Sequence, residues 1–153
     1  MLYQLSRLGL DRDSTQLLKN LISGHVSHCD PIVIPILAGV LQGSMLSPQE
    51  FNAFMAGLEL PRQHGTLALG EPRIPQVLYV DDRTLLADNH RDAQELTNAT
   101  ANWSDSVEIK HNPQKCDCVV IRGSTPNPSP VYMGTEAIPL RDEAKILGLV
   151  PPS

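Results

Sequence analysis

Two adjacent carboxylates interrupt a short stretch that is otherwise suited to β-strands. Residues 76–86, QVLYVDDRTLL, place strand-forming apolar residues on both sides of Asp81 and Asp82. Two such runs joined by only a turn pair as an antiparallel hairpin, because parallel strands need a crossover of about a dozen residues or more. Aspartate is common in turns, since its side chain bonds nearby backbone, so the pair has a structural explanation. Hard divalent ions also prefer carboxylate oxygens, so the same pair is a candidate metal site.

The predicted hairpin presents a carboxylate rigidly at its tip. Because strand side chains alternate between faces, Tyr79 and Asp81 are expected to point one way, and Leu78 and Val80 into the core. Phosphoryl transfer between nucleotides uses two divalent ions about 4 Å apart, and such ions need ligands held in fixed positions.

Helical periodicity predicts the remaining large elements. The first third of the chain holds two helices, or one broken at Gly9, with a cap at Asp13 or Ser14. A further helix starts at Ser47, where Ser47 can cap and Glu50 completes a capping box. A long helix starts at residue 89. The apolar stripes are Leu2, Leu5 and Leu8; Leu17, Leu18, Leu21 and Ile22; Phe51, Phe54, Met55 and Leu58; and Ala93, Leu96, Thr100, Trp103 and Val107.

Short extended segments lie between and after these helices. Residues 32–40 and 118–121 are predicted strands, and residues 131–133 are expected to pair with residues 138–140 across Gly134-Thr135-Glu136. The segment 25–29, HVSHC, is predicted to be a polar loop, because no second ligand pair follows at a zinc-site spacing. The simplest architecture consistent with these elements is α+β, with an antiparallel sheet and helices packed on one face.

Length and composition restrict the class of protein. At 153 residues the chain has the length of one domain. Its net charge is -5, so it lacks the overall positive potential expected of a free-standing nucleic-acid-binding protein. Three cysteines without a signal peptide indicate an intracellular, reducing location, although the compartment is unknown. The longest apolar run is broken by prolines and shorter than the roughly 20 residues that cross a bilayer, so no membrane association is expected.

Several motifs resemble those of reverse transcriptases, especially RNA-directed DNA polymerases of retrotransposons without long terminal repeats. GVLQGSMLSP and LYVDDRTLLA are similar to the family's GVxQGxxLSP and YxDD motifs. Downstream, IKHNPQKCDCVVI resembles a strand with an Asn-x-x-Lys element, and VYMGTEAIPLRDEAKILGL a hairpin leading into a primer-contacting motif. The four motifs occur in the family's order, so the set is more specific than any one of them.

The resemblance implies roles for particular residues in two-metal nucleotidyl transfer with Mg²⁺, an RNA template, a DNA primer and dNTPs. Asp81 is the expected ligand of both magnesium ions, and Asp82 a neighbour with a weaker metal role. Lys115 is the expected proton donor to the leaving pyrophosphate. The remaining residues implied to contact substrate or nucleic acid are Gln42, Gly43, Tyr79, Leu147 and Gly148.

Two of the departures from the family pattern bear directly on the metal site. Arg83-Thr84 stands where the family commonly has Asp-Leu, so a cation adjoins the metal site and either pairs with Asp82 or hinders metal binding. The third carboxylate of family active sites comes from a strand that is expected before this chain begins. Residues 1–149 are therefore predicted to be a partial palm domain, without fingers, the first catalytic-aspartate strand or thumb, followed by a tail at residues 150–153.

Such a fragment is expected to be inactive alone. One alternative is a non-catalytic retroelement remnant or binding module that associates through an open sheet edge. Another is an unrelated small α/β metal-dependent hydrolase that uses Asp81 and Asp82.

Overall fold

A computed structural model describes residues 2–7, 9–35, 39, 43–66, 73–121 and 128–143. The chain forms two compact units, Met1–Glu59 and Leu60–Ser153. No helix in these ranges is both long and apolar enough to cross a bilayer.

The first unit contains three helices and one hairpin. In chain order they are α1 (Leu2–Arg7), α2 (Arg12–Ile22), β1 (Val26–Cys29), β2 (Ile32–Pro35) and α3 (Ser47–Met55). Strands β1 and β2 pair antiparallel, with Val26 opposite Pro35. The predicted polar loop at residues 25–29 is therefore wrong, because this segment's backbone bonds to a β-branched partner strand.

Two predicted helix caps in this unit differ from the structure. The cap of α2 is Asp11, whose Oδ1 accepts hydrogen bonds from the backbone N–H groups of Asp13 and Ser14 at 3.0 and 2.9 Å. Asp13 and Ser14 thus receive the cap rather than provide it. Helix α3 lies where predicted, but its N-cap position falls on Leu46, without a side-chain cap hydrogen bond. Ser47 therefore begins the helix rather than occupying its N-cap position.

The second unit contains the acidic hairpin, the longest described helix and several short strands. Its elements are a 3₁₀ turn (Arg62–His64), β3 (Gln76–Tyr79), β4 (Asp82–Leu85), α4 (His90–Ser106), a 3₁₀ turn (Pro113–Lys115), β5 (Cys118–Val119), β6 (Tyr132–Met133), β7 (Glu136–Ala137) and β8 (Leu140–Arg141). The α+β class is confirmed. The predicted single antiparallel sheet is not found among the described strands, which form four two-stranded ladders.

The last described strands depart from the predicted pairing. Gly134 has a φ of +64°, which permits a two-residue turn that pairs Met133 with Glu136. The predicted pairing is therefore shifted: of residues 138–140, Ile138 donates its N–H to the Val131 carbonyl at 2.8 Å. Leu140 pairs with Cys118 and Arg141 with Val119, so β5 and β8 are parallel.

Helix α4 supplies much of the described core of the second unit. Leu96 is fully buried, with 0% exposure, and three hydroxyl side chains are buried beside it. Thr97 and Thr100 donate to the carbonyls of Ala93 and Leu96, four residues earlier, at 2.8 and 2.9 Å. These side chains therefore satisfy their hydrogen bonds within the helix.

The side chain of Gln94 joins α4 to β6. Its Nε2 donates to the Tyr132 carbonyl at 2.7 Å, and its Oε1 accepts from the Tyr132 N–H at 2.8 Å. The amide thus pairs with the backbone of Tyr132 as a neighbouring strand does. His90 adds a contact through Nε2, 3.0 Å from the carbonyl of Pro130.

Candidate active site

The acidic turn is the two-residue loop of the β3–β4 hairpin. Tyr79 pairs with Asp82, so only Val80 and Asp81 lie between the strands. Val80 has a φ of +54°, a left-handed conformation that costs roughly 1–2 kcal/mol for an ordinary L residue and is least suited to a β-branched one. Two-residue hairpin loops need positive φ at their first or both central positions to follow the strand twist. The tightness of the turn therefore imposes strain on Val80.

The register divides the hairpin's side chains between its two faces. Tyr79 and Asp82 are cross-strand partners on one face, and Leu78 and Arg83 are partners on the other. Val80 is 54% exposed and Leu78 37%, so the prediction that both point into the core is wrong. The turn interrupts strand alternation, which places Val80 at the tip. Asp81 and Asp82 are also exposed.

The carboxylates suit part of a magnesium site. Mg²⁺ in proteins is usually held by one or two carboxylates, with water and substrate phosphates completing its octahedron. Asp81 and Asp82 supply such oxygens, and their exposure leaves room for the other ligands. Among the described residues, no group of three or more histidine, cysteine, aspartate or glutamate side chains could hold a metal ion. The pair therefore fits Mg²⁺ as a partial donor set.

Arg83 does not form the ion pair with Asp82 that the sequence left open. The two side chains occupy opposite faces of β4, and no ion pair of Arg83 occurs within the described ranges. Its Cζ lies 5.6 Å from the centroid of the Trp103 ring on α4. Burial lowers the pKa of the Arg83 guanidinium.

Polar contacts hold the base of the hairpin. Asp88, just after β4, accepts from Thr66 and forms an ion pair with Arg73 at 2.7 Å. His64 Nδ1 lies 2.6 Å from Asp92 Oδ1 in the first turn of α4. The hydrogen bond with His64 is the main reason that the pKa of Asp92 is lowered. These contacts join the segment before β3 to the segment after β4, so they hold the two strands together at the base of the hairpin.

Lys115 occupies a separate structural element in the same unit. It ends the 3₁₀ turn Pro113–Lys115, and Asn112 Oδ1 caps this turn by accepting from the Gln114 N–H at 3.0 Å. Lys115 N–H in turn donates to the Asn112 carbonyl at 2.9 Å. The Asn-x-x-Lys spacing therefore corresponds to one 3₁₀ turn, which the asparagine caps and the lysine ends. The lysine side chain is exposed, and its proposed role stays a prediction.

The other predicted site residues are less fully described. Gly43 lies in the first unit with a φ of +87°, a conformation that favours glycine, and open space where a Cβ would stand. Gln42, Leu147 and Gly148 lie outside the described residues. The structure thus brings Tyr79, Asp81 and Asp82 together at one hairpin tip.

Comparison with known proteins identifies the family. The family model described as reverse transcriptase (RNA-dependent DNA polymerase) matches residues 2–150. The chain belongs to this family. No solved structure matches it significantly.

Two reverse transcriptase relatives come from Drosophila melanogaster. The first, a probable RNA-directed DNA polymerase from transposon BS, is 30% identical over 73% of this chain and 13% of its own length. The second, a retrovirus-related Pol polyprotein from type-2 retrotransposable element R2DM, is 33% identical over 72% of this chain and 11% of its own length. The chain therefore spans about an eighth of these relatives, whose names confirm the predicted retrotransposon kinship.

Sequence reasoning missed one contact at the site of this family member. The sequence indicates Arg83 only as a neighbour of the carboxylates and Trp103 only as part of an apolar stripe. Their stacking depends on how far β4 lies from α4 and has no sequence spacing to indicate it. The alternation of strand faces was the available signal, since it separates Arg83 from Asp82.

Proposed function

We propose that this chain supplies the carboxylate turn of an RNA-directed DNA polymerase, with Asp81 and Asp82 as ligands of catalytic Mg²⁺. The observation that carries the proposal is the tight loop at Val80-Asp81, which holds two exposed carboxylates at a strained tip. Strain of this kind persists where the surrounding structure fixes the backbone, and it is concentrated at functional sites. The family match over residues 2–150 gives the reaction class.

The residues of this chain have distinct tasks in such a reaction. Bound Mg²⁺ supplies activation of the attacking primer hydroxyl and stabilisation of the leaving pyrophosphate. The turn fixes the spacing of the Asp81 and Asp82 oxygens. Tyr79 shares the exposed face of Asp82, which supports a contact of its ring with the primer terminus. Lys115 offers an exposed cation that offsets charge on the departing phosphates.

The proposal includes the need for a further carboxylate. Two neighbouring carboxylates approach a cation from one side only, and two ions about 4 Å apart need oxygens from another direction. We therefore infer that residues 1–149 act as part of a palm domain and that this chain alone does not extend primers. Its partners in the active polymerase are the RNA template, the DNA primer and dNTPs.

Manganese binding tests the metal role directly. Mn²⁺ accepts the same hard oxygen ligands and broadens the NMR signals of nearby amides. The Asp81 and Asp82 amides of the full chain should broaden first, and Asp81→Asn should abolish the effect. Asp142 and Glu143 form a second exposed, adjacent acidic pair, so a variant with Asp142→Asn and Glu143→Gln is the matched control. Equal loss in the control would show that net charge alone attracts the ion.

Primer extension tests the inferred need for a third carboxylate. The chain is incubated with Mg²⁺, dNTPs and a DNA primer annealed to RNA, and no extension is expected. Extension that disappears in Asp81→Asn would support the metal role and overturn the inferred incompleteness. Extension that persists in Asp81→Asn would overturn the role of Asp81 itself.

A further inference from the structure

The residue that follows the carboxylate pair has an unusual environment for an arginine. The Nε, Nη1 and Nη2 atoms of Arg83 are buried and have no hydrogen-bond partner among the described residues, while the residue as a whole is only half-buried. Arginine side chains normally bury the stem and leave the guanidinium in water. Here the charged head is withdrawn from solvent, so another interaction must hold it.

Trp103 provides that interaction. The Arg83 Cζ lies 5.6 Å from the centroid of its ring, within the range of cation–π attraction. This attraction is stronger when the cation has lost its water, as the buried nitrogens of Arg83 have. The contact connects β4 to α4 one residue after Asp82.

The hairpin is therefore held differently at its two ends. Ion pairs and hydrogen bonds of Arg73, Asp88 and Thr66 fix the base. The face that carries Arg83 also carries Gln76 at the start of β3, whose Oε1 is buried without a described partner. No described hydrogen bond from the side chain of Arg83 or Gln76 attaches this face of the hairpin to another element. Its orientation thus depends on packing and on the stacking of Arg83 against Trp103.

We propose that Arg83 is a positioning residue that holds the Asp81-Asp82 turn in place through Trp103. The proposal rests on the proposed function, because the purpose of the positioning is to present carboxylates to metal. A purely electrostatic role predicts the opposite result. A cation beside the metal site repels Mn²⁺, so removal of its charge would tighten metal binding.

Manganese affinity and turn mobility together test this role. Arg83→Met keeps an apolar stem but removes the charge and the stacking, and it should weaken Mn²⁺ binding by about tenfold, as loss of a supporting residue typically does. Arg62→Met removes the same charge from an exposed site in the same unit and is the matched control. Arg83→Lys keeps the cation and should restore part of the affinity. Unchanged or tighter binding in a folded Arg83→Met variant would overturn the proposal.

Trp103 variants keep the test decisive if Arg83→Met does not fold. Trp103→Phe retains an aromatic face and should keep Mn²⁺ affinity within about twofold, because cation–π attraction extends to phenylalanine. Trp103→Leu should weaken binding as Arg83→Met does. The double variant should lose little more, because the two side chains act as one unit. Additive losses would show that they act independently and would contradict the proposal.

A metal-free measurement separates this proposal from the proposed function. Amide relaxation of Val80 and Asp81 should show a rigid turn in the wild-type chain and a mobile one in Arg83→Met. If Mn²⁺ fails to bind the wild-type turn but the turn still becomes mobile in the variant, the proposed function fails and the positioning contact stands. A turn that remains rigid in Arg83→Met overturns the positioning role.

Discussion

The clearest stability prediction concerns Gln94, whose amide forms two hydrogen bonds with one residue of β6. Gln94→Met keeps the length of the side chain but removes the donor and the acceptor. The bonds to Tyr132 are 2.7 and 2.8 Å long, and each typically contributes about 1 kcal/mol net. Gln94 is half-buried, so water replaces part of what is lost. We expect a loss of about 1–2 kcal/mol in the free energy of unfolding.

Replacement of Gln94 by glutamate distinguishes the contribution of the donated hydrogen bond from that of the accepted one. Gln94→Glu can still accept from the Tyr132 N–H, but at neutral pH its other oxygen faces the Tyr132 carbonyl. Protonation restores a donor, so folding should raise the pKa of the engineered carboxyl above its unfolded value of about 4.3. Stability relative to wild type should therefore recover as the pH falls through that raised pKa, and remain low above it.

Urea unfolding followed by fluorescence measures both effects. Trp103 is the single tryptophan of the chain and lies on α4, so its emission reports the second unit. Gln114→Met is the matched control, because Gln114 is exposed and should shift stability by less than about 0.5 kcal/mol. Wild-type stability in Gln94→Met, or no acid recovery in Gln94→Glu, would refute the reasoning.

Three further predictions use the same unfolding assay. Leu96→Ala should cost about 2–5 kcal/mol, because a fully buried leucine leaves a cavity, and a loss below 1 kcal/mol would contradict that burial. Burial and, to a smaller extent, Arg83 lower the pKa of His111, so stability should fall as the pH drops below the unfolded value near 6.5, and His111→Gln should flatten this slope. His64 lowers the pKa of Asp92, so stability should fall in acid below about pH 4, and Asp92→Asn should weaken that loss.

Local sequence signals predicted the helices and the acidic hairpin correctly. Helix α4 follows Asn89, whose Oδ1 accepts from the Asp92 N–H at 3.0 Å, and its buried positions include Leu96 and Thr100 of the predicted stripe. The hairpin of β3 and β4 forms as predicted, but its loop is Val80-Asp81, one residue earlier than the predicted Asp81-Asp82. These features depend on contacts between residues close in sequence, which periodicity and turn chemistry describe well.

Arrangements that depend on distant residues could not be predicted from sequence. The predicted antiparallel pairing of residues 131–133 with 138–140 leaves the four residues 134–137 as a loop, whereas the observed turn at Gly134 has two residues and Leu140 pairs in parallel with Cys118. The contact of Arg83 with Trp103 likewise joins two elements whose packing no local pattern specifies. Propensity indicates which segments are strands, but tertiary packing decides which strands pair.

The hydroxyl-lined face of α4 has a consequence for how this unit can diverge among related elements. The hydroxyl groups of Thr97 and Thr100 donate hydrogen bonds to carbonyls of their own helix, so they need no polar partner in the segments that cover them. Covering segments can then change their side chains freely, provided that they stay apolar and of similar volume.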